Sequence, residues 1–300
     1  MAVREFRALE VKEDRFWLYR RKLGDFWRLY RRSRLGVIGL IIVLSFVIVA
    51  VAAPWIAPFE PFYFAGDPLM KPSSTFPFGT DQVGRDIFSR VIYGTRVSLL
   101  VGLIASAMTI GLGSAIGLVS GYLGGWVDNG LMRITDLFII LPALPLMLIM
   151  ASILGKGIMN IIIVITVVGW TATARMVRSQ TMSLKERPFI EASRAIGSTD
   201  LHTIVRHIVP NVFPLVFANG MIAVVDAILS EAGLSFLGFG DPSSPSWGMV
   251  LHYADAAGST VNGYWWYIVP PGICIMLLVM GFAFISYSTD QILNPRLRRR

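Results

Sequence analysis

Long apolar runs without charge organise this sequence. Six of them, at about 37–57, 97–121, 131–154, 158–174, 208–225 and 266–289, approach the length of about 20 residues that a helix needs to cross hydrocarbon. A buried helix of a soluble protein carries a charged face at a period of 3.6 residues, which these runs lack. The pattern therefore predicts an all-α polytopic membrane bundle of six transmembrane helices. In the run 97–121, Gly113, Gly117 and Gly121 recur every fourth residue behind Gly102 and Gly111. That spacing flattens one helix face so that another backbone can come close, which is how helices associate in lipid. The run 131–154 contains Pro142 and Pro145, and each removes a backbone hydrogen bond. Freed carbonyls at membrane depth are tolerated only against protein or a wet cavity, so both prolines are candidates for the wall of a translocation path.

Charge then gives the bundle an orientation. Only 15% of the 300 residues are charged, against roughly 25% in a soluble domain, and 54% are hydrophobic. With residues 1–36 inside and six alternating spans, all of the 27 Lys and Arg fall on the inner side except Lys71, Arg85, Arg90, Arg96 and Lys156. The positive-inside rule demands this asymmetry, and both termini are expected in the cytoplasm of a cell-membrane protein. The net charge of +8 follows from this placement and needs no nucleic acid. Residues 1–36 read as a cytoplasmic basic tail: Phe16, Tyr19, Leu23, Phe26, Trp27 and Tyr30 share one helical face and Arg and Lys crowd around it, which suits an interfacial helix on anionic lipid, with a merely solvated basic tail as the alternative. The first transmembrane helix is expected at 37–57 and a proline-rich outer loop at 58–96. A core of five further helices follows at 97–290, interrupted by an inner loop at 176–207, and a basic cytoplasmic tail closes the chain at 291–300. Ala50, Val51 and Ala52 offer a small-residue cleavage site, but the long aromatic region before it favours an uncleaved anchor. The aromatic cluster Tyr264 to Tyr267 suits the outer interface of the last span. Cys274 is the single cysteine, which excludes an intramolecular disulfide.

Catalytic chemistry finds no foothold in these residues. His202, His207 and His252 are the only histidines, and none stands at metal-ligand spacing with Cys or carboxylate. Gly121, Gly124 and Gly125 lack the lysine of a phosphate loop. No enzyme, metal site or resident cofactor is expected. The inner loop is more informative. Pro188 suits a first helical turn, Glu191 the positive end of the helix dipole, and Gly197 the left-handed residue that stops a helix. Ser198, Thr199 and Asp200 then offer a cap to a second helix running through His207 to Pro210. Phe189, Ala192 and Ile196 share one face of the first helix, which forms a small ridge for a partner's groove. Asp226 falls near the outer end of the fifth span, close to Glu231. An ionised group against lipid there costs about 2.5–3.5 kcal/mol, so Asp226 either lines the outer path and meets cationic or amino-terminal groups of cargo, or sits hydrated at the interface.

The segment Glu191-Ala192-Ser193, followed by Gly197 and by Ile208-Val209-Pro210, resembles the Glu-Ala-Ala loop of permease subunits in ATP-binding-cassette importers. Ser193 stands where that family usually has a second alanine, and Val209 where it has leucine. Phe78-Gly79-Thr80-Asp81, Gly84-Arg85-Asp86, Arg206-His207 with Pro210-Asn211, Leu234 to Gly238 and Ser246-Trp247-Gly248 are similar to the second permease of the dipeptide and oligopeptide branch. The likeness covers nearly everything from Arg34 onward. It implies a type I importer permease that pairs with a second, different permease, two ATP-binding subunits that hold ATP and Mg, and an external binding protein. It also implies that 187–210 is the coupling loop, with Glu191, Ala192, Ser193, Ala195, Gly197 and Pro210 meeting the ATPase. The binding protein would dock on the outer surface near 233–263. Dipeptides, longer peptides, nickel chelates and oligosaccharides all remain open as cargo. An ATP-independent secondary transporter or channel is the competing expectation, but ionisable groups deep in the spans are scarce. Arg133, Asp136, Arg175 and Asp226 all fall near predicted ends.

Overall fold

The computed structural model describes Gly24 and residues 27–293. Phe16, Tyr19, Leu23, Phe26 and the basic tail beyond 293 lie outside the described residues. Of the expected lipid-facing aromatics, Trp27 is half exposed, but Tyr30 is buried. The Tyr30 hydroxyl donates to the Gly36 carbonyl at 3.0 Å, so its ring packs on protein and not on lipid.

The first span, α1 (Arg34–Ile56), starts at Ser33, whose side chain accepts from the Gly36 amide, and it contains Pro54. Proline has no N–H to offer the carbonyl four residues back, here Ala50. Arg96 supplies the missing donors: its Nε donates to the Ala50 carbonyl and its Nη2 to that of Val51 at 3.0 Å. An arginine read from sequence as an outer-side charge thus serves as a half-buried backbone cap between α1 and α2. Arg96→Met keeps the side-chain length but leaves the Ala50 carbonyl unpaired. It is expected to lower stability by about 1–3 kcal/mol, read as an earlier thermal midpoint in detergent; an unchanged midpoint would remove this role.

Helix α2 (Ile87–Leu123) begins well before the apolar run at 97, so the outer loop ends earlier than its charges suggest. Asp86 caps it, with Oδ2 accepting from the Ser89 amide at 2.8 Å and hydroxyl at 2.6 Å. Arg90, inside the helix, is buried because both it and Arg85 donate to Asp81. The other Asp81 oxygen accepts from the amides of Val83 and Arg85, each at 2.9 Å. Both guanidinium groups also lie over the Tyr253 ring, at 5.5 and 5.1 Å. Asp81 thereby folds the proline-rich loop back onto the helices. Two isolated antiparallel bridges, Phe64 with Arg85 and Thr80 with Asp86, are the extended pairings among the described residues.

The third apolar run is a broken pair and not one bent helix. Helices α3 (Gly125–Ile140) and α4 (Ala143–Leu154) meet at 94°. The residue before a proline is pushed out of the helical region, and Leu141, ahead of Pro142, is extended at φ −76° and ψ 132°. The fourth span, α5 (Ile158–Lys185), is longer than its uncharged core. Its arginines are paired: Arg178 clamps Asp128 of α3 with both nitrogens, and Arg175 reaches Asp136 at 2.5 Å. Then come the short α6 (Pro188–Ala195) and α7 (Asp200–Thr203), a π-helical turn at Ile204–Ile208, and α8 (Val209–Phe236). The chain closes with α9 (Trp247–Ala256), α10 (Ser259–Asn262) and α11 (Trp265–Leu293). Among the described residues five helices are long and apolar enough to cross a membrane, and the count reaches six when α3 and α4 are taken as one broken span.

The α2–α5 contact is the spine. A Cβ on Gly113, Gly117 or Gly121 would stand 2.5, 2.5 and 2.7 Å from the carbonyl oxygens of Trp170, Ala174 and Arg178. Only glycine lets the two backbones come that close. Helix α1 meets α11 by the same device: a Cβ on Gly39 would stand 2.6 Å from the Gly281 carbonyl. Helix α8 packs across α2 and α11, and the buried core includes Trp247, Tyr267, Ile228 and Leu278.

Candidate coupling loop and membrane cavity

The loop between α5 and α8 has the local chemistry its sequence calls for. Arg187 is extended, Pro188 opens α6, Glu191 stands in its first turn, and Gly197 takes φ +86°. The Thr199 side chain caps α7 by accepting from the His202 amide at 3.3 Å. Helix α6 buries Ile190 and Ser193 against the bundle and turns Phe189, Ala192 and Ile196 outward, with Ile196 84% exposed. Glu191, Ala195 and Gly197 are exposed with them, whereas Ser193 faces inward and its hydroxyl donates to that of Ser198 at 3.0 Å. Its carbonyl also accepts the Ser198 amide at 3.2 Å, so serine at this position closes the loop on itself.

Pro210 does not end the second helix as the sequence suggests. It is exposed in the first turn of α8, and the π-helical turn carries the chain from α7 straight into the fifth span. The π turn closes with the Val209 amide donating to the Ile204 carbonyl, and Pro210 falls in the first turn after it, where a missing N–H is tolerated. The Asn211 side chain donates to the His207 carbonyl at 2.6 Å, one turn back along the chain. Sequence pattern does not announce a π turn, because one extra residue leaves the apolar run intact.

Tyr122, at the end of α2, is a functional candidate that sequence reasoning misses. It is 3% exposed and touches the loop through its hydroxyl, its ring and its carbonyl. A tyrosine just before Gly124 and Gly125 reads as an ordinary interfacial aromatic, so nothing in the pattern marks it.

The second feature is a cavity of about 230 Å³ between α2, α4, α5 and α8. Asp226 is the ionisable residue in its wall, alongside Thr109, Thr173, Asn219, Ser230 and Met147. Asn219, Asp226 and Ser230 fall on one face of α8, so the polar stripe is a product of helical spacing. Pro142 and Pro145 are not brought to it; both are exposed at the α3–α4 break. Glu231, adjacent to Asp226 in sequence terms, goes elsewhere: it is 1% exposed and accepts from Ser98 at 3.0 Å and Ser235 at 2.8 Å, tying α8 to α2. At the opposite end of the bundle, Trp247 Nε1 donates to the Val91 carbonyl at 3.0 Å and anchors α9, while Asp255 stays exposed. Among the described residues no group of three His, Cys, Asp or Glu is placed to hold a metal.

A bundle of membrane-length helices, with a polar cavity among them and a short exposed helix outside them, defines the class of membrane transport subunits. Residues 113–299 match the family described as binding-protein-dependent transport system inner membrane component, and residues 22–72 match the N-terminal TM domain of oligopeptide transport permease C. The chain belongs to the first of these families. It is 35% identical over 272 residues to the dipeptide transport system permease protein of Alkalihalophilus pseudofirmus, covering 89% of this chain and 88% of the relative. It is 36% identical over 277 residues to the glutathione transport system permease protein of Escherichia coli O6:K15:H31, covering 91% and 90%. A dipeptide permease of Bacillus subtilis matches at 33% over 277 residues, 92% and 86% of the two chains. In fold the chain is similar to the MetNI methionine ABC transporter in an inward-facing conformation, with TM-score 0.54 and 20% identity over 71% of this chain and 98% of that one. The protein is a multi-pass inner-membrane permease of an ABC importer and not an enzyme. It has no cofactor of its own, and permeases of this kind work with ATPase and substrate-binding subunits.

Proposed function

We propose that this permease forms half of a translocation path with a second, different permease, and that α6 couples the path to two ATPase subunits holding ATP and Mg. The outward face of Phe189, Ala192 and Ile196 carries this reading. Three apolar side chains on a short helix outside the membrane-length helices are a ridge that gains only when a partner's groove covers it. Glu191, Ala195 and Gly197 flank that ridge, and Ser193 and Pro210 shape its supports. The asymmetry of Lys and Arg supports placing this loop and both termini in the cytoplasm. The names of the relatives support a peptide or peptide-like cargo, delivered by a binding protein to the opposite face around 233–263.

In this reading Asp226 lines the path. A carboxylate in an otherwise uncharged cavity suits a cationic group of the cargo. Asp226→Asn is expected to lower uptake of amine-bearing cargo by about tenfold, the worth of a hydrogen bond to a charged group, with ATPase stimulation kept within about twofold. Unchanged uptake of every cargo would return Asp226 to the hydrated interface. The whole proposal is tested by reconstitution. The chain alone should neither hydrolyse ATP nor move cargo, and co-expression with its partners should give a complex with two different permeases that does both. Uptake by the chain alone in vesicles without ATP would favour a secondary transporter instead.

A further inference from the structure

The structure assigns to Tyr122 a positioning role: it is the joint through which the α6–α7 segment moves α2. This inference rests on α6 being the coupling helix. Tyr122 is the penultimate residue of α2, the helix that forms the spine with α5. Its hydroxyl donates to Asp200 Oδ1 of α7 at 2.6 Å. Its ring lies beneath the guanidinium of Arg194 in α6 at 5.0 Å and beneath the ammonium of Lys185 at 5.6 Å. Its carbonyl accepts from the same Lys185 at 2.6 Å. Tyr122 also belongs to a buried apolar cluster with Ile190 of α6, Val177 and Leu184 of α5, Ile208 of the π turn and Val212 of α8.

One residue thus contacts α5, α6 and α7 and shares a buried cluster with the π turn and α8. Each contact is directional. The hydroxyl bond fixes the ring's long axis on α7, and the two cations fix its face against α6 and the end of α5. A displacement of α6 and α7 therefore reaches α2 through a short lever, the Arg194 contact from α6 and the Asp200 hydrogen bond from α7. A tyrosine needed only for packing would not have to place its hydroxyl on a carboxylate.

The test uses the complete complex with its binding protein in vesicles, and the readout is cargo moved per ATP hydrolysed. Tyr122→Phe keeps the ring, the cluster and both cations and loses only the bond to Asp200. It should lower the ratio by about fivefold, the net worth of one part-buried hydrogen bond, with complex yield and thermal midpoint near wild type. Asp200→Leu should reproduce that loss, and the double variant should be no worse than either single one, because both remove the same contact. Asp200→Asn, which retains an acceptor oxygen, should restore most of the ratio. A merely structural Tyr122 would change yield and midpoint and leave the ratio alone. An unchanged ratio in both single variants, or losses that multiply in the double variant, would overturn the joint. A cross-link from Ala195→Cys to the ATPase, formed in the same preparations, separates the two levels: if it forms and the ratio is unmoved, the joint alone is wrong, and if it does not form in wild-type background, the coupling role of α6 fails and the joint with it.

Discussion

Replacing Gly117 with leucine is expected to prevent the bundle from assembling. A single Cβ at this position would stand 2.5 Å from the Ala174 carbonyl oxygen, 2.8 Å from the Val177 Cβ and 3.0 Å from the Arg178 amide nitrogen. Two of these are backbone atoms in the middle of α5, so no rotamer change relieves the overlap. The helices must part, and with them the pairing of Arg178 with Asp128 and the seat of Tyr122. Overpacking of this kind costs on the order of 3 kcal/mol or more, a large share of the stability of an ordinary domain. Gly117→Ala should already fall between wild type and leucine. Gly111, less than two turns away on the same helix, is different: a Cβ there would meet nothing within 4 Å, and Gly111→Leu should be tolerated. Detergent-extracted protein quantified by size-exclusion chromatography decides the matter: equal monodisperse yields for the two leucine variants would contradict the spine.

Gly197→Val is expected to uncouple the complex while leaving it assembled. Gly197 takes φ +86°, and there is open space around it, so valine meets no steric obstacle except its own backbone. Strain in that region costs of the order of 1–3 kcal/mol for a β-branched residue, enough to shift the turn that fixes α6 against α7 but too local to disturb spans that end well away from it. Transport should fall by roughly tenfold or more, as 1.4 kcal/mol corresponds to a factor of ten, while membrane insertion stays normal. Wild-type transport in this variant would remove the geometric requirement on the loop.

Much of this architecture can be read from sequence, for reasons that also mark where reading stops. Uncharged runs reveal helices because lipid tolerates nothing else, and Gly113, Gly117 and Gly121 reveal the α2–α5 contact because only close backbone approach requires glycine at that spacing. Proline and glycine around Pro188 and Gly197 mark the short loop helix through their backbone restrictions. Charge misleads where it is neutralised by distant partners. Arg90, Arg96, Arg175 and Arg178 lie inside helices because Asp81, the Ala50 carbonyl, Asp136 and Asp128 receive them, and all of these partners except Asp81 are far away in sequence. The break at Pro142 is legible as a disturbance but not as a turn of 94°, since the angle depends on what α4 packs against. Asp226 and Glu231 look equivalent from sequence, yet five residues along α8 they point to different neighbours, one into a cavity and the other into a nest of serine hydroxyls. Tyr122 is invisible in the pattern because its partners come from three other elements.

Site-specific cross-linking from α6 tests the central claim most directly. Cys274 is the native cysteine, so a Cys274→Ser background with Ala195→Cys presents one thiol, on the exposed side of the loop helix. In inside-out vesicles holding the full complex, that thiol should react with a membrane-impermeant maleimide, and a short bifunctional reagent should join it to an ATPase subunit with a yield that changes when ATP binds. Labelling only from the outer side, or no ATPase adduct in a complex that transports, would contradict the account.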